Sequence, residues 1–479
     1  MDLKIIGGSV VTAEQTVRAD VGIKDGRIIK IASEISEPAG EVIDATGKYL
    51  LPGGVDVHTH FDMPFPTPPR SDGILAESVR DGIGVVVTAD DFFTGTVAAA
   101  CGGTTTIIDF AIQEKGKSLQ DALAVWQAKA KDKTVIDYGF HLAITDLNDE
   151  TRKELETLPE EGISSIKVFL AYKDSLMVDD EALFRLLKKS REYGLLVMVH
   201  AENGSVIKVL TDEFLEKGQT EPIYHALSHP PEIEEEAVGR VLTMVRLTNA
   251  PVYFVHLSYS EAVARLGEAR HKSLPAWGET CPQYLTLSME HYSKPEFEGA
   301  KYVMSPPLRG RYNHGLLWKA LEQNILSVVS SDHCSFNFKG QKELGRDNFS
   351  LIPNGIPGVE TRLHLLYSEG VSTKKITFNQ LVSIFATEPA RLFGLYPAKG
   401  EIAINSDADI VIFDTHKKFI LKAAKLHHNV DYTPYEGMEI KGMVSKVISR
   451  GKVIVQDNTF SGTKGAGQFL KRKPFQHRA

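Results

Sequence analysis

At 479 residues the chain exceeds one ordinary compact domain, which calls for a large barrel-like unit or several domains. Its 42% hydrophobic and 24% charged residues form an ordinary globular balance and exclude wholesale disorder. With 54 lysines and arginines against 62 aspartates and glutamates the net charge is −8, which favours solubility and offers nucleic acid no basic field.

The amino-terminal segment reads as β. Leu3 to Ile6, Val10-Val11, Val21 to Ile23, Ile28 to Ile31 and Val42-Ile43 are short apolar stretches broken by Gly7-Gly8, Asp25-Gly26 and Thr46-Gly47. The Asp-Gly pair between two such runs predicts a hairpin. Next, apolar runs alternate with helical patterns. Gly54 to Val57, Thr105 to Phe110, Tyr138 to Ile144, Ile166 to Leu170, Leu195 to Val199, Val252 to Val255, a weaker Pro275 to Glu279 and Ile325 to Val329 read as eight buried parallel strands. Asp179 can cap a helix with Leu183, Leu186 and Leu187 on one face and Gly194 at its end. In another, Ile233, Ala237, Val241 and Val245 recur every four residues. The β texture returns in Ala408 to Phe413 and Val444 to Ile448.

This order predicts an α/β protein: a (β/α)₈ TIM-like barrel with a smaller β-sandwich domain built from both termini. The expected divisions are 1–52 and 399–460 for the sandwich, 53–398 for the barrel and 461–479 for a tail whose basic end, Lys471 to Ala479, reads as an exposed arm. Cys101, Cys281 and Cys334 form no Cys-x-x-Cys pair and fit a reducing compartment. Met1-Asp2-Leu3-Lys4 lacks a signal-peptide pattern, and no apolar run nears the roughly 18 residues that span a bilayer. A cytoplasmic protein with no membrane or nucleic-acid partner is expected.

In such barrels function sits at the C-terminal strand ends. Strand one ends in Asp56-Val57-His58-Thr59-His60, strand five at His200, strand six at His256 and strand eight at Asp332, while strand four carries Lys167. His58 and His60 leave an extended strand on the same side, so two imidazoles could grip one metal ion. Each histidine taken singly also reads as an ordinary core or surface residue. Four of them converging at one rim, with a carboxylate, favour metal ligation and proton transfer. Lys167 lies inside the buried run Ser-Ser-Ile-Lys-Val-Phe-Leu. Either its stem snorkels to water or burial lowers its pKa.

These motifs, with Pro-Gly-Gly-Val-Asp before His-Thr-His, Ile-Lys-Val-Phe, Val-His-Ala-Glu-Asn, Ser-Asp-His-Cys and the late Asp407 to Phe413 segment, resemble the dihydropyrimidinase and hydantoinase branch of the cyclic amidohydrolases nearly end to end. The resemblance implies two divalent metal ions per chain. His58, His60 and Asp332 would hold one ion and His200 and His256 the other, bridged by N6-carboxylated Lys167 and a hydroxide. This donor set suits zinc, and manganese or cobalt would also serve. It further implies that Tyr172 polarises the substrate carbonyl, that main-chain groups at Ser305 and Asn354 hold the ring amide, and that Asp332 shuttles the proton. The expected substrate is a small cyclic ureide or imide, a dihydropyrimidine or 5-substituted hydantoin, opened to an N-carbamoyl amino acid by a homotetramer or homodimer.

Rivals are a dihydroorotase-like or allantoinase enzyme and a non-catalytic dihydropyrimidinase-related scaffold. The two enzyme rivals usually carry Arg or Asn where this chain has Asp62, and the scaffold lacks the ligand set. One stretch departs from the family pattern: Pro66 to Val87 is inserted before Thr88-Ala89-Asp90-Asp91-Phe92, and is expected either to shape the pocket or to be a surface excursion.

Overall fold

The computed structural model describes residues 1–66 and 85–476. Leu3–Ile6, Asp20–Lys24, Arg27–Ala32 and Glu41–Asp44 form a four-stranded sheet. Asp25 and Gly26, at φ 50° and 73°, make the hairpin turn that the Asp-Gly pair predicts. A seven-stranded sheet joins Ser9–Val11, Thr16–Arg18 and Tyr49–Pro52 to Ile410–Ile420, Glu439–Ser449, Lys452–Gln456 and Thr459–Phe460. Leu3, Ile5, Val21 and Ile23 of the first sheet share one apolar core with Val10, Leu50, Ile410 and Ile448 of the second. Ile410–Ile420 and Glu439–Ser449 run longer than the sequence pattern suggests. Exposed charges (Lys417, Lys418 and Glu439) fill the half of this pair that carries no apolar signal.

The eight expected central strands all form: β1 (Gly54–Thr59), β2 (Thr104–Ile112), β3 (Asp137–Ala143), β4 (Ser165–Phe169), β5 (Leu196–His200), β6 (Val252–Phe254), β7 (Ala276–Thr280) and β8 (Val328–Val329). They pair parallel in sequence order. The (β/α)₈ barrel closes where Thr59 bridges His333 and the His60 amide donates to the His333 carbonyl at 2.8 Å. With only two residues in β8, a side chain reinforces the seam. Fully buried Arg362 donates to the Val55 and Val329 carbonyls at 3.1 and 3.0 Å and faces Asp56 at 3.4 Å.

Side chains alternate across the barrel wall. Ile166, Val168, Val197, Val199, Val252 and Phe254 pack outward beneath the helices, whereas Val55, Ile108, Phe110, Met198 and Tyr253 fill the interior. Around it lie α1 (Phe92–Cys101), α2 (Leu119–Ala130), α3 (Asp180–Tyr193), α4 (Gly204–Glu216), α5 (Glu232–Thr248), α6 (Ser260–His271) and α7 (Tyr312–Glu322). α3 has the expected boundaries: the Asp179 carboxylate accepts from the Ala182 amide at 2.8 Å, and Gly194 ends it at φ 68°. Its Leu183, Leu186 and Leu187 are fully buried, each stabilising by about 1.5–3 kcal/mol.

The tail corrects an expectation. Instead of an exposed arm, its described part, up to residue 476, crosses the N-terminal mouth of the barrel, and residues 477–479 lie outside the described residues. The Tyr138 amide donates to the Gln468 carbonyl at 3.0 Å and the Tyr138 carbonyl accepts from the Leu470 amide at 2.7 Å. The Arg472 amide donates to the Gly162 carbonyl, and the Phe475 amide donates to the Gly194 carbonyl at 2.7 Å. Arg472 itself is buried and donates to Ser165 Oγ at 2.8 Å, while Phe475 packs on Trp277. The basic residues mask an apolar pattern, Phe469, Leu470 and Phe475, that has a barrel floor to cover. Among the described residues no helix is long and apolar enough to cross a membrane.

Candidate active site

The strand ends bring the six expected ligands together. His58 closes β1 and His60 follows it. Their Nε2 atoms lie 3.1 and 3.4 Å from Asp332 Oδ1, beyond β8. The His58 ring is 5.3 Å from that of His256, which in turn is 4.6 Å from that of His200 at the end of β5. One ligand atom each from His58, His256 and Asp332 lies within 4.8 Å of the others. Lys167 points inward from β4 with its Nζ 4.9 Å from the faces of both Phe110 and Phe169. At 1% exposure the snorkelling alternative is excluded, and burial holds its ammonium well below the usual lysine range. His256, Asp332 and Tyr172 adopt φ of 39°, 50° and 61°. Left-handed backbone at non-glycine residues costs about 1–3 kcal/mol each and clusters where side chains must be aimed.

A second layer orients the first. Glu279, at the end of β7, accepts from His58 Nδ1 at 2.5 Å, from the His256 amide at 3.2 Å and from the Tyr253 hydroxyl at 2.9 Å. The first of these fixes the His58 tautomer and leaves Nε2 as the free lone pair. Glu202 does the same for His200, contacting Nε2 at 2.8 Å and leaving Nδ1. Burial drives the pKa of His58 and His256 far below the usual histidine value, so both are neutral. His60 Nδ1 and His256 Nδ1 are buried without a partner among the described residues. Neutral imidazoles with unpartnered nitrogens, beside a carboxylate, fit divalent cations. Sequence reasoning missed Glu279 and Glu202. The available signal was a carboxylate at or just past a strand end, the same rule that found Asp332.

Beside this cluster, Tyr172 is half-buried with its hydroxyl bonded to the side chains of Ser305 and Asn354, which bond each other (Asn354 Nδ2 to Ser305 Oγ, 3.1 Å). Burial pushes the Tyr172 hydroxyl up, so it is a proton-bearing donor at neutral pH. These three residues, Lys167 and all four histidines line a cavity of about 1220 Å³, with Met63, Phe65 and Leu176 among its apolar walls. Asp62 does not line it; its carboxylate faces Lys133 at 3.5 Å. Of the inserted stretch, residues 67–84 lie outside the described residues, and its ends, Pro64–Pro66 and Val85–Val87, pair as an antiparallel ribbon.

Comparison with known proteins agrees with this geometry. Residues 49–454 match the model of the Amidohydrolase family. A D-hydantoinase of Geobacillus stearothermophilus is 50% identical over 472 residues, spanning 98% of this chain and 96% of that one. A dihydropyrimidinase structure from Brevibacillus agri superposes with a TM-score of 0.95 at 51% identity, covering all of both chains. An L-hydantoinase structure from Arthrobacter aurescens gives 0.86 at 25% identity, covering 98% of this chain and all of that one. The chain belongs to the amidohydrolase family, in its dihydropyrimidinase and D-hydantoinase branch, and is a cyclic amidohydrolase.

Proposed function

We propose that the chain opens dihydropyrimidines or 5-substituted hydantoins by hydrolysing the cyclic amide, releasing N-carbamoyl amino acids. The observation that carries this reading is the convergence of four histidines, Lys167 and Asp332 beside the Tyr172, Ser305 and Asn354 cluster in one cavity. The names of the similar proteins support it.

His58, His60 and Asp332 would hold one divalent ion and His200 and His256 a second, most suitably zinc. Lys167 would reach both after its neutral amine adds carbon dioxide, forming an N–C bond and releasing a proton. Its burial supports this step, because an anion between two cations replaces a stranded ammonium. Two such ions supply Lewis acidity and lower the pKa of a bound water toward about 7. Asp332 takes the proton of the attacking water and delivers it to the ring nitrogen. Its carboxylate is suited to that role: burial alone would raise its pKa, but the hydrogen bond from His60 and the nearby Lys167 hold it below the usual range. Tyr172 donates a hydrogen bond to the carbonyl oxygen as negative charge develops there. Main-chain groups at Ser305 and Asn354 hold the ring amide.

Asp62, paired with Lys133, offers no cation to a substrate carboxylate, which disfavours the dihydroorotase alternative. The three free cysteines are buried, in keeping with a reducing, cytoplasmic setting. Val206 and Val209, exposed on α4, support self-association into a homodimer or homotetramer. The deciding experiment loads the protein with defined metal, counts ions per chain and compares dihydrouracil with 5-substituted hydantoins. About two ions with ring opening supports the proposal; metal-loaded protein inert toward both substrates rejects it.

A further inference from the structure

Lys342 is 0% exposed, in a short turn after β8, and has no place in the chemistry above. Its Nζ donates to the main-chain carbonyls of Val303 at 2.7 Å and Pro353 at 2.6 Å. Val303 lies two residues before Ser305, and Pro353 immediately precedes Asn354. One ammonium therefore ties together the two loops whose main-chain groups are assigned to the ring amide.

The surrounding contacts lead to the same place. The Val303 carbonyl also accepts from the Gly355 amide at 3.1 Å, and Cys334, two residues after Asp332, donates its thiol to the Asn354 carbonyl at 3.6 Å. Gly355 is at φ 146°, and a Cβ there would sit 2.3 Å from the Cys334 carbonyl oxygen. The loops are locked against each other at backbone level, with Lys342 donating to a main-chain carbonyl of each. Burying an ammonium without a carboxylate is unfavourable, and burial pushes the Lys342 pKa down to about 7. A methionine would fill the same space but make neither hydrogen bond, so what the lysine adds is the tie between the Val303 and Pro353 carbonyls.

We propose that Lys342 is a positioning residue that sets the spacing of the Ser305 and Asn354 loops and so the fit of the ring amide. This rests on the functional reading above and deepens it. The test compares wild type, Lys342→Met, Lys342→Gln and a stability control, Ile23→Ala, in the distant sandwich core. All are metal-loaded and assayed on dihydrouracil well below their melting temperatures. The expected result for Lys342→Met is wild-type metal content and a fall in kcat/KM of tenfold or more, with the larger share in KM. Lys342→Gln, which retains one shorter donor, should fall between, and Ile23→Ala should stay within twofold of wild type. Four results overturn the proposal: a kcat/KM for Lys342→Met within twofold of wild type, a loss matched by the control, a loss that follows metal content, or failure of both Lys342 variants to fold. If Lys342→Met alone fails to fold, Lys342→Gln is judged by the same criteria. A wild-type enzyme that opens no ring would instead sink the functional reading.

Discussion

The proposed function asks two things of Asp332 that pull against each other: a ligand must stay ionised, whereas a proton carrier must accept and release. Burial of the carboxylate favours its protonated form, while the hydrogen bond from His60 and the nearby Lys167 favour the anion. Asp332→Asn keeps the shape and one ligating oxygen but cannot carry the proton. It should retain metal, read by elemental analysis, and lose about 10³-fold in kcat, within the range of general acid–base contributions. Activity above a tenth of wild type would reject the proton role. Glu279 acts one layer out. Its Oε1 is held by His58 Nδ1 at 2.5 Å and the His256 amide at 3.2 Å, so Glu279→Gln turns an acceptor shared by two of the proposed ligand residues into a donor–acceptor pair. Metal affinity, measured by chelator competition, should fall about 10- to 100-fold. An unchanged competition midpoint would leave Glu279 a packing residue.

Strands that are apolar on both faces could be read directly, because burial inside and beneath helices leaves few other readings. The barrel rule also pointed to the histidines and Asp332 at their ends, which the fold brings together. Other residues stayed hidden for physical reasons. Glu279 closes the weakest of the predicted strands, and only the fold shows its carboxylate meeting His58 and the His256 amide. Lys342 sits in Gly-Gln-Lys-Glu-Leu-Gly, polar enough to pass for a surface turn, and only the fold shows it sealed between two loops. The tail misled in the opposite sense, since Lys471, Arg472 and Lys473 look solvated while Arg472 is buried. Its docking is testable. Deleting residues 472–479 leaves Ser165 Oγ and the Phe140 carbonyl without their Arg472 donors and uncovers Trp277. Each buried group left unsatisfied costs about 1–3 kcal/mol, so the melting temperature should drop by several degrees. A calorimetric midpoint equal to that of the full chain would restore the exposed-arm picture.

Two buried histidines, His364 where the barrel meets the seven-stranded sheet and His428 in the connection between two strands of that sheet, should make the protein acid-sensitive. His364 uses both ring nitrogens: Nδ1 donates to the Glu360 carbonyl, and Nε2 accepts from the Val444 amide of the sheet, each at 3.3 Å. Its ring packs edge-on against Phe419 at 5.3 Å. His428 is buried with neither ring nitrogen bonded among the described residues. Burial is the leading cause that lowers both pKa values to about 4. The folded protein therefore holds neutral imidazoles, whereas the unfolded chain takes up protons near pH 6.5. Stability from these groups is complete above pH 6.5 and declines as pH falls toward 4, by at most on the order of 3 kcal/mol per group. Acid also strips metal, so the comparison should use chelator-treated protein, with metal-loaded protein alongside. His364→Gln preserves a donor and an acceptor but does not titrate. Its thermal midpoint, followed from pH 7 to 4.5, should fall less steeply than that of the parent, with the curves diverging below pH 6.5. Parallel curves would place the acid sensitivity elsewhere.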